Sequence, residues 1–284
     1  MKVNLDLHIH SSFSPDSRVT PGEIIRLAKQ RGLDGVAIAD HNTVQGGLAA
    51  LEINADPDFI VIPGAEYSTE YGHVVGLFLS EEIDVQGRKP KGYTLSPTLP
   101  LGEVVQAIHA QGGIAVLAHP FQSRLSLPAH VFEGPVKVDA IEGFNSRAGT
   151  RTNPDANAHA AQCAKEYDIP ALGGSDAHLP WEIGRAYTRI DLRGVSKEDV
   201  CLRECHSLVR AAILEGRVEY FGRETQRAVV PLTEIVKARK RKTYCRMPYL
   251  VLKLILASLG PVGLWLENAL GEQGNAKKPK TKAE

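Results

Sequence analysis

The stretch Val3-Asn-Leu-Asp-Leu-His-Ile-His10 opens the chain as a predicted strand that ends in two histidines. Residues two apart in a strand share one face of a sheet, so we expect Asp6, His8 and His10 to point together toward the interior of the fold. Two imidazoles on one face form half of a metal site, and Asp6 is expected to orient one of the rings. A pair of core histidines is the alternative for this stretch taken alone.

Downstream of this strand, short apolar runs alternate with amphipathic ones. Further strands are predicted over residues 34–39, 59–63, 73–79, 114–118, 138–142, 170–173 and 187–191. Helices are predicted from Thr20 onward and over residues 48–53, 102–111, 155–167 and 197–216. Roughly seven such units favour an α/β fold, with a parallel sheet closed into a (β/α) barrel. An open doubly wound sheet is the rival, but no GxGxxG or phosphate-binding loop follows any predicted strand.

Residue types that bind metals recur, mostly where the later strands run out, with His73 at the start of a strand. Together with His8 and His10 they are Asp16, His41, Glu66, His73, His119, Asp176 and His178. In a parallel barrel the C-terminal strand ends converge on one face, so we expect these nine side chains to gather there. Nine ligands predict two or three divalent ions, and imidazole with carboxylate suits Zn, Mn or Fe better than Mg or Ca. Asp40 is expected, like Asp6, to hold a metal ligand in place without binding the metal itself.

Six motifs occur in a familiar order: DLHIHSSFSPDS, AIADHNT, IPGAEYSTEYGH, LAHPF, IEGFNSR and GGSDAH. They resemble the PHP (polymerase and histidinol phosphatase) superfamily, and within it the stand-alone metal-dependent phosphoesterases. The resemblance implies a distorted (β/α)7 barrel of the PHP type over residues 1–222, followed by a C-terminal extension over residues 223–284.

The resemblance also implies which residues hold three ions. The first ion would take His8, His10, Glu66 and Asp176, the second Glu66, His73 and His119, and the third Asp16, His41 and His178. The implied reaction is hydrolysis of a small phosphomonoester by a hydroxide held between ions. Either the third ion or an acid, Asp176 or His178, would assist the leaving oxygen.

Several further side chains are candidates for the substrate. Arg18, Arg124 and Arg147 follow predicted strands and are expected to clamp the phosphate, because guanidinium matches phosphate bidentately; the alternative is an ordinary surface arginine. Asn145 is expected to line the pocket or to form a turn. Trp181 could stack on an aromatic substrate, although a packing role is expected for it.

Charge divides the chain unevenly. Its 33 Lys/Arg balance 33 Asp/Glu, but residues 237–284 carry a net +8 and residues 1–236 a net −8. The acidic part disfavours long nucleic acid, though not a mononucleotide. The alternatives to a phosphomonoesterase are therefore a phosphodiesterase or exonuclease, a nucleotide phosphatase, and a non-catalytic metal-binding module tethered by its C-terminal tail.

The C-terminal extension combines a basic run, residues 237–242, with the largely apolar residues 247–266. A single membrane span, a segment lying on anionic lipid, and a helix packed on the barrel or a partner are all open. A membrane surface is therefore a candidate partner for residues 237–266. No signal-peptide pattern opens the chain and its four cysteines show no CxxC spacing, so the expected location is the cytoplasm.

Overall fold

The computed structural model describes residues 1–83, 99–122, 127–150, 153–196 and 201–259. The chain divides into two compact units, Met1–Thr225 and Gln226–Glu284, close to the boundary predicted after Gly222. The roles assigned to those two parts stay predictions. Arg124 and residues 260–266 of the apolar segment lie outside the described residues.

One curved sheet dominates the first unit. Its strands are β1 (Lys2–Ile9), β2 (Gly35–His41), β3 (Ile60–Thr69), β4 (Gly72–Leu77), β5 (Ile114–Ala118), β6 (Ala140–Asn145), β7 (Ala171–Gly174), β8 (Ala186–Asp191) and β9 (Val218–Gly222). Within the described residues they follow the order β7-β6-β5-β4-β3-β2-β1-β8-β9.

Helices connect many of these strands and cover the sheet. They are α1 (Pro21–Gln30), α2 (Gln45–Ile53), α3 (Leu101–Ala110), α4 (Ala156–Glu166) and α5 (His206–Leu214), followed in the second unit by α6 (Val229–Lys240) and α7 (Met247–Ser258). The predicted start of α1 is confirmed, since Thr20 Oγ1 accepts the backbone N–H of Glu23 at 3.3 Å. Residues 197–200 of the helix predicted over 197–216 lie outside the described residues, and in the described part α5 begins at His206 after a 3₁₀ turn at Leu202–Glu204.

The two sides of the sheet close toward each other through β7. The backbone N–H of Asp176 donates to His8 O at 2.8 Å, and that of His10 donates to Ala177 O at 2.8 Å. Glycine permits the approach, because a Cβ on Gly174 would lie 2.6 Å from the Cβ of His8. The predicted α/β barrel is thus confirmed as a distorted, nearly closed one.

The prediction of a parallel sheet is wrong for β4, β8 and β9. Strand β4 pairs antiparallel with both β3 and β5, and β8 pairs antiparallel with β1 and β9. Only Glu70 and Tyr71 separate β3 from β4, and so short a link makes a hairpin rather than the long crossover that parallel strands need. Strand β9 is not predicted from the sequence.

The second unit bears on the alternatives for the apolar segment. Helix α7 has 12 residues, a length of about 18 Å against a bilayer core of about 30 Å. Across the described ranges, no helix is long and apolar enough to cross a membrane.

Candidate metal centre

The nine predicted ligands converge at one end of the barrel. Seven are buried, and the other two, His73 and His119, are partly exposed, with side chains 31% and 9% accessible. Their nitrogen and oxygen atoms form three compact groups: His8, His10 and Glu66; Glu66, His73 and His119; and His10, Asp16, His41 and His178. The second of these groups is the set implied for the second ion. The third group is the set implied for the third ion, with His10 added. Asp176 adjoins the first group.

Glu66 lies at the centre of the cluster, within β3. Its Oε1 is 2.7 Å from His73 Nδ1 and 3.0 Å from His119 Nε2. Its Oε2 is 2.8 Å from His41 Nδ1 and 3.4 Å from His10 Nε2. Both oxygens of one carboxylate therefore face different imidazoles, the arrangement that a bridging ligand requires.

The end of β1 supplies the first group. His8 Nε2 and His10 Nε2 are 3.2 Å apart, and His10 Nε2 is 3.2 Å from Asp176 Oδ1. The same oxygen is 3.8 Å from His8 Nε2. Two ring nitrogens and a carboxylate oxygen thus face one point beside Glu66.

The third group combines side chains from the loop after β1, the last residue of β2 and the loop after β7. Asp16 Oδ2 lies 3.3 Å from His41 Nε2, and Asp16 Oδ1 lies 3.6 Å from His178 Nε2. His178 Nδ1 is 2.8 Å from the carbonyl oxygen of Asp176. Because a carbonyl only accepts, Nδ1 carries the proton, which leaves Nε2 of the neutral ring to act as a ligand.

The donor set fits divalent cations. Within the described residues, Glu66 Oε2 makes no hydrogen bond of acceptable geometry, although His41 Nδ1 lies 2.8 Å from it, and His10 Nδ1 has no hydrogen-bond partner. Both atoms are buried, and buried polar atoms are almost always satisfied. A cation beside Glu66 Oε2 would satisfy that oxygen. Mixed imidazole and carboxylate ligands suit Zn, Mn or Fe.

Electrostatics in the cluster favour ionised carboxylates. Burial alone would raise the pKa of Glu66, but the surrounding His73, His41 and His8 hold that pKa well below its usual range. Burial lowers the pKa of His10 to about 3, and repulsion from the neighbouring histidines adds to the effect. An anionic Glu66 and a neutral His10 are the forms that bind a metal.

Two ligands sit on strained backbone. His119 has φ +31° and Asp176 has φ +53°, in the left-handed region that residues other than glycine seldom adopt. Such conformations persist only where the surrounding structure enforces them, and they concentrate at functional sites. Sequence patterns gave no sign of this strain.

The structure places Asp6 differently from the prediction. The pairing of β1 with β2 shifts register between Asp6 and Ile9, and this irregularity breaks the expected alternation of faces. The carboxylate accepts the backbone N–H groups of Ser175 at 2.9 Å and Gly184 at 2.7 Å, and burial raises its pKa to about 6. Asp6 Oδ1 also accepts the backbone N–H of His8 at 3.4 Å, so Asp6 ties the strand ends together, and its orienting of an imidazole stays a prediction.

Glu142, which the sequence analysis did not single out, orients the ring of His8. Its Oε1 lies 2.8 Å from His8 Nδ1, and its Oε2 accepts the backbone N–H of His119 at 2.8 Å. The sequence feature that could have identified Glu142 is its place as a carboxylate at the end of the apolar strand predicted over residues 138–142, which overlaps β6. Asn145 Nδ2 also donates to Glu142 Oε2, at 2.9 Å.

Asp40 supports the loop after β1 as well as lying next to His41. Its Oδ1 accepts the backbone N–H of Ser11 and its Oδ2 accepts the Ser11 hydroxyl, both at 2.6 Å. Burial raises the pKa of Asp40 to about 6. The predicted supporting role thus runs through Ser11.

Comparison with known proteins agrees with this geometry. A model of the PHP domain matches residues 6–110, and a PHP-associated model matches residues 154–203. An uncharacterized protein of Methanocaldococcus jannaschii is 36% identical over 155 residues, covering 51% of this chain and 82% of the relative. The chain belongs to the PHP family.

More distant similarity extends across the PHP chain. A 5′-3′ exoribonuclease of Haemophilus influenzae is 26% identical over 271 residues, covering 67% of this chain and 97% of that protein. A two-domain protein of Bacteroides vulgatus, containing a predicted PHP-like metal-dependent phosphoesterase, superposes with a TM-score of 0.57 at 20% identity. That superposition covers 78% of this chain and 65% of the other, so this chain spans less than two thirds of its length. Both of these proteins are described as acting on phosphate esters, the first as an exoribonuclease and the second as containing a predicted phosphoesterase.

Arg147 has a carboxylate partner in this PHP structure. Its Nε and Nη2 lie 2.8 and 2.5 Å from the two oxygens of Glu182, and both side chains are buried. Glu182 Oε2 also accepts the backbone N–H groups of His178 at 3.2 Å and Leu179 at 3.1 Å. The pair therefore holds the loop that carries His178, and phosphate binding by Arg147 stays a prediction.

The remaining candidates lie around the centre. Asn145 is buried, and its Oδ1 accepts the backbone N–H of Arg147 at 2.9 Å, so it shapes the turn after β6. Arg18 is exposed in the loop between β1 and α1, where its guanidinium is accessible to a substrate. Trp181 is 54% exposed, so about half of its surface is covered, and both its packing role and its stacking role stay predictions.

Proposed function

We propose that this PHP chain hydrolyses a small phosphomonoester, using two or three Zn, Mn or Fe ions held by the nine residues of the candidate centre. The observation that carries the proposal is Glu66, whose two oxygens each lie 2.7–3.4 Å from two imidazole nitrogens. When bound, such ions would neutralise phosphate charge and lower the pKa of water, so that hydroxide is available as the nucleophile near neutral pH.

The chain's own residues have separable tasks in this proposal. Asp176 is held ionised, because His8 and its other imidazole neighbours outweigh burial and keep its pKa well below the usual range. It therefore acts as a ligand rather than as a proton donor. His178 is a ligand through Nε2, since Nδ1 donates to a carbonyl. Arg18 is proposed to meet the phosphate from the exposed loop before α1.

The test is phosphate release from a panel of monoesters by the full chain loaded with Zn, Mn or Fe. His10→Ala should lose more activity than the roughly 10- to 100-fold that removing a supporting residue costs. His109→Ala is the matched control. His109 lies on α3, its Nε2 is 2.8 Å from Asp139 Oδ2, and it is not one of the nine ligands. A metal-loaded wild-type chain that releases phosphate from none of the panel overturns the proposal.

A second candidate is cleavage of a nucleotide or of a short nucleic acid from its end. Phe13 is 49% exposed in the loop leading to Asp16, and Trp181 is exposed just after His178. Asp16 and His178 meet at 3.6 Å, and three residues span at most about 11 Å, so both rings lie near the centre. Aromatic rings of this kind stack on bases. The similarity to an exoribonuclease supports the same candidate.

Trp181→Ala separates the two candidates. If a base stacks on Trp181, its loss should raise KM about 10- to 100-fold for a mononucleotide or short RNA and leave a sugar phosphate unaffected. Trp181→Phe should retain most of the binding. Equal effects on base-bearing and base-free substrates would leave the small phosphomonoester as the better supported substrate.

A further inference from the structure

Part of the second unit, residues 235–266, is basic and apolar. Residues 235–266 contain seven Lys/Arg and no Asp or Glu. Their described part covers the end of α6, a short turn and α7, which packs against α6. Such a composition sets this segment apart from the acidic remainder of the chain.

One face of α7 packs and the other does not. Leu250 and Leu256 are buried, and Leu254 and Ala257, which follow Leu250 at a spacing of four and three residues, are half-buried. Leu252, Ile255 and Leu259, with the same kind of spacing, are 46–54% exposed. Val251 at 43% widens this exposed face. Side chains three or four apart lie on one side of a helix, so these four make a continuous apolar strip.

Cationic side chains border that strip. The turn before α7 exposes Arg241, Lys242 and Arg246, and Lys253 is exposed within the helix. Lys253 is about 100° around the helix from Leu252 and about 160° from Ile255, so it lies across the helix from most of the strip, and the cations nearest in sequence to the strip's start are those of the preceding turn. Its Nζ is 5.1 Å from the centre of the Tyr249 ring.

We propose that α7 binds the surface of an anionic membrane, with its exposed apolar strip in the lipid interface and the neighbouring Lys and Arg on the headgroups. A short helix that is apolar on one face and bordered by cations lies in the plane of such a surface. The positive charge complements anionic lipid, each basic residue strengthening binding about fivefold. Nucleic acid would match the charge but would leave the apolar strip in water.

The test is sedimentation of the full chain with vesicles at about 0.1 M salt, comparing pure phosphatidylcholine with about one third phosphatidylserine. Arg241→Gln combined with Lys242→Gln and Arg246→Gln should weaken binding to the anionic vesicles roughly 100-fold. Leu252→Gln combined with Ile255→Gln should weaken it by a similar order. Arg193→Gln and Ile53→Gln are matched controls, because both residues are exposed in the barrel unit, and each should bind as wild type does.

The proposal predicts that the full chain binds the anionic vesicles and not those of pure phosphatidylcholine. It also predicts weaker binding for both the triple Gln variant of the basic residues and the double Gln variant of Leu252 and Ile255. Failure of the full chain to sediment with anionic vesicles overturns it. The proposal is also overturned if only the triple Gln variant of the basic residues loses vesicle binding. Binding would then be purely electrostatic, as it is for sites that bind nucleic acid. A dimer that dissociates in the Leu252/Ile255 variant, without vesicle binding, would show that a second copy covers the strip.

Discussion

His8 Nδ1 lies 2.8 Å from Glu142 Oε1, and the other oxygen of that carboxylate accepts the backbone N–H of His119 at 2.8 Å. One buried side chain thus fixes the ring of one candidate ligand and the backbone of another. Since Nδ1 is engaged in this way, Nε2 of His8 is left to face Glu66 and Asp176.

Removing this support should weaken metal binding without removing a ligand. We expect Glu142→Ala to lower the affinity for Zn or Mn about 10- to 100-fold, as measured by competition with a chelating dye. Glu166→Ala, at an exposed position in α4, is the control. Equal affinities in Glu142→Ala and wild type would show that the His8–Glu142 contact does not orient the ring.

The buried pair of Arg147 and Glu182 predicts a loss of stability. Arg147→Leu strands the Glu182 carboxylate without its cation, so the free energy of unfolding should fall by about 3–5 kcal/mol in urea denaturation. Lys2→Met, which breaks an exposed pair with Glu219, should cost less than about 1 kcal/mol. A stable Arg147→Leu protein with a raised KM would instead assign Arg147 to the phosphate.

The close approach of β7 to β1 makes one glycine sensitive. A Cβ on Gly174 would lie 2.6 Å from both Glu142 Oε1 and the Cβ of His8, so Gly174→Ala should cost at least about 1–3 kcal/mol of unfolding free energy. Gly102→Ala in α3 meets nothing closer than 3.8 Å and should be neutral or stabilising by up to about 1 kcal/mol. Thermal unfolding of the two variants checks the difference, and matching midpoints would contradict the tight β7–β1 contact.

Thiol chemistry gives a pH-dependent prediction away from the metal centre. Burial raises the pKa of the Cys163 thiol to about 11, so Cys163 stays protonated and unreactive at pH 8, whereas Cys245 is exposed. Iodoacetamide at pH 8 should therefore label Cys245 and spare Cys163 until the protein unfolds. Mass mapping of the labelled peptides measures this, and early labelling of Cys163 would argue against the packing of α4.

The sequence was most informative where local patterns suffice. The strand Ile114–Ala118 has the predicted bounds, and most of the nine ligands could be recognised because they follow or end an apolar run, whereas His73 begins one. Their convergence follows from strand ends meeting on one face. His73 is the exception, because it begins β4 and joins the others only since β4 runs antiparallel to β3.

Features that depend on pairing were missed or misassigned. Asp6 left the predicted face because β1 shifts register against β2, a property of two strands rather than of one. Glu142 acquired its role only when β6 came beside β5 and reached His8 and His119. The antiparallel direction of β8 and β9 is likewise set by tertiary contacts rather than by periodicity.

The most direct test of the account is the metal content of the full chain. After loading with Zn, Mn or Fe and desalting, mass spectrometry should find two or three ions per wild-type chain. Glu66→Ala, which removes the shared carboxylate but leaves Asp16, His41 and His178, should retain about one ion while circular dichroism shows an unchanged fold. A wild-type chain that retains no ion, or a Glu66→Ala chain that retains as many as wild type, would contradict the shared metal centre.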